Sequence, residues 1–149
     1  MAETKVATVI SLTEALLAAD AGKLLQKKTK VLEIKRLSEA LGQPFEMKLQ
    51  PISPERYNEI SMSGVILSEY GTLEGTDTYN MQVLQVLEGV KYPDFSDKNL
   101  CQHFKAETPK ELVSKLFLAG EIDKISKEIT ELSGYTKDKK KKEIETVKN

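Results

Sequence analysis

Residues 108–135, TPKELVSKLFLAGEIDKISKEITELSGY, decide how this chain is read. Thr108-Pro109-Lys110-Glu111 combines a capping threonine, a proline at the first helical position, where an amide would be unpaired anyway, and a glutamate that can turn back to the free amides of the first turn. It is the strongest helix start in the sequence. Behind it, Leu112, Val113, Leu116 and Phe117 form one apolar stripe. Ile122, Ile125, Ile129 and Leu132 form a second, at spacings of three, four and three. Ala119-Gly120 separates the stripes and predicts a kink or a break between two helices, and Ser133-Gly134 supplies the stop.

The second stripe has two readings. An amphipathic helix in a small domain must bury its apolar face somewhere, which makes it core; a groove or partner face is the other reading. An acidic substitution at Ile125 separates them. Lost partner binding with an intact circular-dichroism signal marks a binding face, and loss of that signal marks core.

Working back toward the N-terminus, Ser96 is placed to cap a short helix to about Phe104, after Gly89 ends a preceding helix and Pro93 closes the connection. That preceding helix is predicted over Thr76 to Leu87, where Tyr79, Val83, Leu84 and Leu87 recur at helical spacing and Asp77 sits near the positive end of the dipole. Gly64 to Gly75, rich in glycine and small polar residues around Val65-Ile66-Leu67, reads as a loop. Ser53-Pro54-Glu55 starts a helix over Pro54 to Met62. Leu32 and Ile34, then Phe45, Met47 and Leu49, alternate with polar residues at period two, predicting a two-stranded hairpin. Its connection holds a helical turn at Ser38 to Leu41 and Gly42-Gln43-Pro44. Ser11-Leu12-Thr13-Glu14 has capping-box spacing and opens a helix from about Thr13 to Asp20.

With 149 residues, 40% of them hydrophobic, there is material for one modest core and not for two. The expected fold class is therefore α+β: a mostly helical single domain over residues 1–135 with a small β-hairpin, and a disordered basic tail over 136–149. The last fourteen residues carry six lysines against three acids, leaving 16 basic and 20 acidic residues elsewhere. The acidic body argues against nucleic acid as the main ligand, because duplex binding depends on clustered positive charge. No apolar run approaches the roughly eighteen residues of a membrane span and the N-terminus shows no signal-peptide pattern, so a cytoplasmic, non-secreted protein is expected. The lone Cys101 fits a reducing compartment.

Chemistry is sparse. Cys101 and His103 form a Cys-x-His pair, but a structural zinc site takes four ligands and the chain has no other cysteine or histidine; a semi-buried thiol beside a surface histidine is the reading. Gly71 to Gly75 lacks the glycine-lysine-serine/threonine ending of a phosphate loop. The glutamates lie beside lysines in helical stretches, as solvated ion pairs do. No catalytic, metal or cofactor residues are assigned, and an enzyme is not expected. Lys139 to Lys142 has a second meaning at the RNA level: consecutive adenine-rich codons form a slippery tract on which a ribosome can shift frame and make a longer product.

In order along the chain, Glu33-Ile34-Lys35-Arg36-Leu37, Gly42 to Leu49, Glu107 to Val113, and Ala119-Gly120-Glu121-Ile122 leading to Glu131-Leu132-Ser133-Gly134-Tyr135 resemble the XkdN-like tail assembly chaperones of Bacillus-type prophages. The resemblance runs over roughly residues 10 to 135. It implies a protein that binds the tape-measure protein of a long phage tail, keeps it soluble until tube subunits polymerise around it, and is absent from the finished particle. It carries over no catalytic residues. Self-association and a frameshifted longer form remain open as partners; a membrane is not expected. A chaperone for a long helical client needs an apolar groove bordered by charge, and Leu116, Phe117, Ile122, Ile125 and Ile129 are the candidate client-contacting residues. The competing readings are a small structural component of the tail or virion and a generic protein-binding adaptor.

Overall fold

A computed structural model describes residues 10–135; the tail at 136–149, with its lysine run, lies outside the described residues. Short polar side chains mark where most of the helices begin, those starting at Lys35 and Ala119 excepted. α1 (Leu12–Ala18) starts at Ser11, whose Oγ accepts the Glu14 amide at 3.1 Å. It ends short of the expected Asp20, because Ala19 and Asp20 are extended and the Asp20 carboxylate caps a separate α2 (Ala21–Leu24) by accepting from the Gly22 and Lys23 amides. The chain continues through β1 (Lys30–Glu33), α3 (Lys35–Leu41), β2 (Glu46–Leu49), α4 (Pro54–Ser63), β3 (Val65–Leu67), β4 (Leu73–Thr76) and α5 (Thr78–Gly89). It closes with β5 (Val90–Tyr92), α6 (Lys98–His103), α7 (Pro109–Leu116) and α8 (Ala119–Leu132).

The expected hairpin is present as antiparallel β1 and β2, with buried Leu32 opposite buried Met47. Gly42 ends the intervening α3 at φ +72°, where a side chain would be strained. Ser38 ties the connection together: its hydroxyl donates to Glu33 Oε2 (2.8 Å) and accepts from the Phe45 amide (2.7 Å). The sheet has one more strand than the sequence reading gives it. β5 pairs antiparallel with the other edge of β2, in the order β1-β2-β5, where a plain connection from Gly89 to Pro93 is expected. Three residues are too few for period-two alternation to register.

Residues 64–75 also correct the sequence reading, since the expected loop is the antiparallel β3–β4 hairpin. Its apolar residues are mostly exposed, so no in–out alternation announces it, and the β preference of Val65-Ile66-Leu67 is the signal that carries the structure. Ser68 shapes the tip by accepting from the Tyr70 and Thr72 amides (3.2 and 3.1 Å), and the Asp77 amide donates to the Gly64 carbonyl at the base (2.6 Å). A third correction is local: Asp97, not Ser96, caps α6, accepting from the Asn99 and Leu100 amides.

α5 is the central element and packs against α4, α7 and α8. Val83 and Val86 of α5, Ile60 of α4, Leu112 and Val113 of α7, Ile122, Ile125 and Ile129 of α8, and Met47 and Leu49 of the sheet share one core. α5 and α8 run parallel, because their contacts climb together. Gln82 Nε2 donates to Asp123 Oδ1 (2.9 Å), the Ser126 hydroxyl donates to Gln85 Oε1, and Gly89 lies under Ile129. Gln85 and Ser126 are the buried polar pair of this interface, and each satisfies the other.

Candidate functional site

The break expected at Ala119-Gly120 falls two residues earlier. Phe117 (φ −109°, ψ 147°) and Leu118 (φ −76°, ψ 157°) are extended between α7 and α8, and Gly120 lies in the first turn of α8 with open space around it. Successive extended residues face opposite sides. Phe117 therefore turns into the core, edge-on to Phe45 (6.2 Å) and Phe95 (5.6 Å), while Leu118 turns outward and is 57% exposed.

The start of each helix is held by its own side chains. Thr108 Oγ1 accepts the Glu111 amide (3.1 Å), and the Glu111 carboxylate returns one residue beyond the expected cap, to the Glu107 amide (2.9 Å). At α8, Glu121 Oε1 accepts the Leu118 amide at 2.8 Å. Arg36 of α3 then fastens the joint. Its guanidinium forms a fork on Glu121 (Nε to Oε2 3.0 Å, Nη2 to Oε1 2.7 Å) and also donates to the Leu116 carbonyl (2.8 Å), so one side chain satisfies the end of α7 and the start of α8. Two turns along, Glu128 accepts from Lys30 of β1. α8 thus presents three lines: glutamates to the sheet layer, Asp123 and Ser126 to α5, and isoleucines to the core.

This arrangement sets a pH dependence. The Glu121 carboxyl is held below the usual carboxylate range, first by the hydrogen bond from Arg36, with burial opposing it and the Leu118 amide and the Arg36 charge assisting. A carboxyl lowered in the folded state contributes stability that is present above its unfolded value, about 4.3, and is lost as pH falls through the folded value. Glu111 and Asp123 are lowered as well and titrate in the same acid region. The difference between wild type and Glu121→Gln isolates the clamp: urea midpoints are expected to differ at pH 7 and to converge as pH falls through the lowered folded-state value of Glu121.

Of the five candidate contact residues, Phe117, Ile122, Ile125 and Ile129 are buried, with Ile125 and Ile129 at 0% exposure, and Leu116 is half-buried. Leu116, outward Leu118 and exposed Phe104 mark the apolar surface of the α7–α8 joint, near Arg36 and Lys115. Lys115 bonds the Lys105 carbonyl (2.7 Å) and pairs with Glu111 (3.1 Å), so the apolar spots are bordered by charge. The sequence reading passes over Leu118 and Phe104. Within the run Leu116-Phe117-Leu118-Ala119 no spacing distinguishes the outward residue, because the helical period stops there.

Cys101 is buried with Sγ 3.4 Å from the Phe95 carbonyl oxygen, and His103 is exposed against the Phe104 ring. Among the described residues no group of three or more His, Cys, Asp or Glu is placed to hold a metal ion, and no helix is long and apolar enough to cross a membrane.

What the geometry defines is a small α+β domain with apolar surfaces and ion-pair clamps. The sequence model of the phage XkdN-like tail assembly chaperone proteins (TAC) matches residues 13–148, and the chain belongs to that family. The crystal structure of the protein YqbN is similar in fold, with a TM-score of 0.57 at 20% identity; the alignment covers 87% of this chain and 100% of that one. Comparison with curated protein sequences finds no match.

Proposed function

We propose that the protein binds the tape-measure protein of its phage in the cytoplasm of the host and keeps it soluble while the tail is assembled. Membership of the tail assembly chaperone family is the observation that carries this reading. The surface of the α7–α8 joint supports it, because apolar residues set among fixed charges suit one face of an amphipathic client helix.

The five candidate residues divide by depth. Exposing the four buried ones would take α8 off α5 at roughly 1.5–3 kcal/mol per side chain, a sum as large as the stability of a whole domain. Leu116, with exposed Leu118 two residues on and Phe104 beside Lys115, is therefore the contact, and Phe117, Ile122, Ile125 and Ile129 hold that contact in place from beneath.

Co-expression tests the reading. The soluble fraction of the tape-measure protein is expected to rise several-fold with this chain and to fall back with Leu118→Asp, whose circular-dichroism melt stays that of wild type because Leu118 is exposed. A tape-measure protein equally soluble with and without the chain overturns the proposal, as does finding the chain at structural stoichiometry in finished tails.

A further inference from the structure

Among the described residues, two runs of exposed apolar side chains stand apart from the α7–α8 joint. The first is the N-terminal arm. Every residue from Ile10 to Val31 is exposed, and neither α1 nor α2 has a buried residue. Leu12 and Leu16 lie one turn apart on α1, with Leu17 (81% exposed) beside them, and Leu24 and Leu25 (77% exposed) close α2. Isolated helices shorter than about 12–15 residues are marginal in water. Helices of seven and four residues that bury nothing need a partner to persist.

The second surface is the β3–β4 hairpin. Leu67 and Leu73 are cross-strand partners and both are exposed, Ile66 is exposed opposite Gly75, and Tyr70 at the tip is 87% exposed. A two-stranded hairpin is itself marginal without a covering layer.

The second half of the arm and the hairpin carry opposite charge, the arm's acids Glu14 and Asp20 lying on its first half and its lysines all between 23 and 30. Lys23, Lys27 and Lys28 of the arm line one cavity of about 410 Å³ together with Gln26 and Thr29. The hairpin bears Glu69 and Glu74, with Asp77 at its base, all exposed and with no lysine or arginine between 57 and 90. Within one chain the two do not cover each other, since the apolar side chains of both are open to solvent. We propose that the arm of one molecule docks on the hairpin of a second copy, leucines against Leu67, Leu73 and Tyr70, lysines against Glu69 and Glu74. A two-fold pair makes the contact twice and closes, leaving neither surface free for further copies.

Sedimentation velocity on the full chain across a concentration series tests this. Wild type is expected to dimerise. Leu17→Glu with Leu25→Glu, and separately Leu67→Glu with Leu73→Glu, are each expected to weaken dimerisation at least about a hundredfold, from the apolar burial lost. Both pairs are exposed, so at concentrations low enough to dissociate the wild-type dimer the variants should melt with wild type. Charge reversal gives a second measurement that does not touch the apolar residues. Lys27→Glu with Lys28→Glu should weaken the dimer several-fold, and adding Glu69→Lys with Glu74→Lys should restore it. A chain that is monomeric at all concentrations overturns the proposal, and so does an arm that becomes protected only when the tape-measure protein is added. A dimer weakened by arm substitutions but indifferent to the hairpin, or one that charge reversal at both sites does not restore, equally overturns it.

Discussion

Ile125→Asp is expected to unfold the domain: the far-ultraviolet circular-dichroism signal of the variant at 25 °C should be that of a largely disordered chain. Ile125 has no exposed surface and faces the core from the middle of α8. Truncating such a side chain to alanine alone costs about 2–5 kcal/mol. Aspartate adds the desolvation of a carboxyl group among apolar neighbours, a few kcal/mol even when the group takes up a proton to avoid its charge. The total approaches the whole stability of an ordinary domain. Graded variants locate the effect in packing. Ile125→Val should lower stability by about 0.5–1.5 kcal/mol and leave tape-measure binding unchanged. A folded Ile125→Asp protein that no longer binds the client would mean that α8 presents this residue to a partner instead.

Gly89→Val is the second large effect, expected to cost about 3 kcal/mol in urea denaturation. A Cβ at Gly89 would overlap Cγ2, Cδ1 and Cγ1 of Ile129, a branched side chain with no exposed surface to retreat into. Gly89 also accepts the Gln50 amide on its carbonyl (2.8 Å), so pushing α5 from α8 there disturbs the junction of α5 with the sheet. Gly64 makes the useful contrast. A Cβ there meets mainly the Sδ and Cγ of Met81, a flexible side chain that can move aside, so Gly64→Ala should cost less than about 1.5 kcal/mol. Shortening the obstacle, with Gly89→Ala combined with Ile129→Val, should give a double variant more stable than the sum of the single effects predicts.

Legibility in the sequence followed the amount of one-sided burial. The α7–α8 block could be read because Thr108, Pro109 and Glu111 act locally and because Ile122, Ile125 and Ile129 all face one core. The same holds for β1 and β2, where Leu32, Met47 and Leu49 alternate with exposed residues. The β3–β4 hairpin and β5 were hidden for opposite reasons: the hairpin lies open, so its pattern shows no inner side, and β5 is three residues added to an edge by tertiary pairing. The break between α7 and α8 was visible as Ala119-Gly120 but misplaced, because the extended pair is fixed by Phe117 between Phe45 and Phe95 and by Arg36 on Glu121. Neither contact is local in sequence. Family membership was legible from the order of several short motifs, each of which is also ordinary helix or strand punctuation. Depth was not: a stripe at helical spacing looks the same whether a client or α5 covers it.

Hydrogen exchange on the chain, free and bound to the tape-measure protein, separates those two cases most directly. The amides of Ile122, Ile125 and Ile129 are predicted to exchange only through global unfolding in both states, with new protection on binding confined to the joint around Leu116 and Leu118. Rapid exchange of the α8 amides in the free chain, suppressed when the client binds, would contradict this account and make the buried stripe itself the binding face.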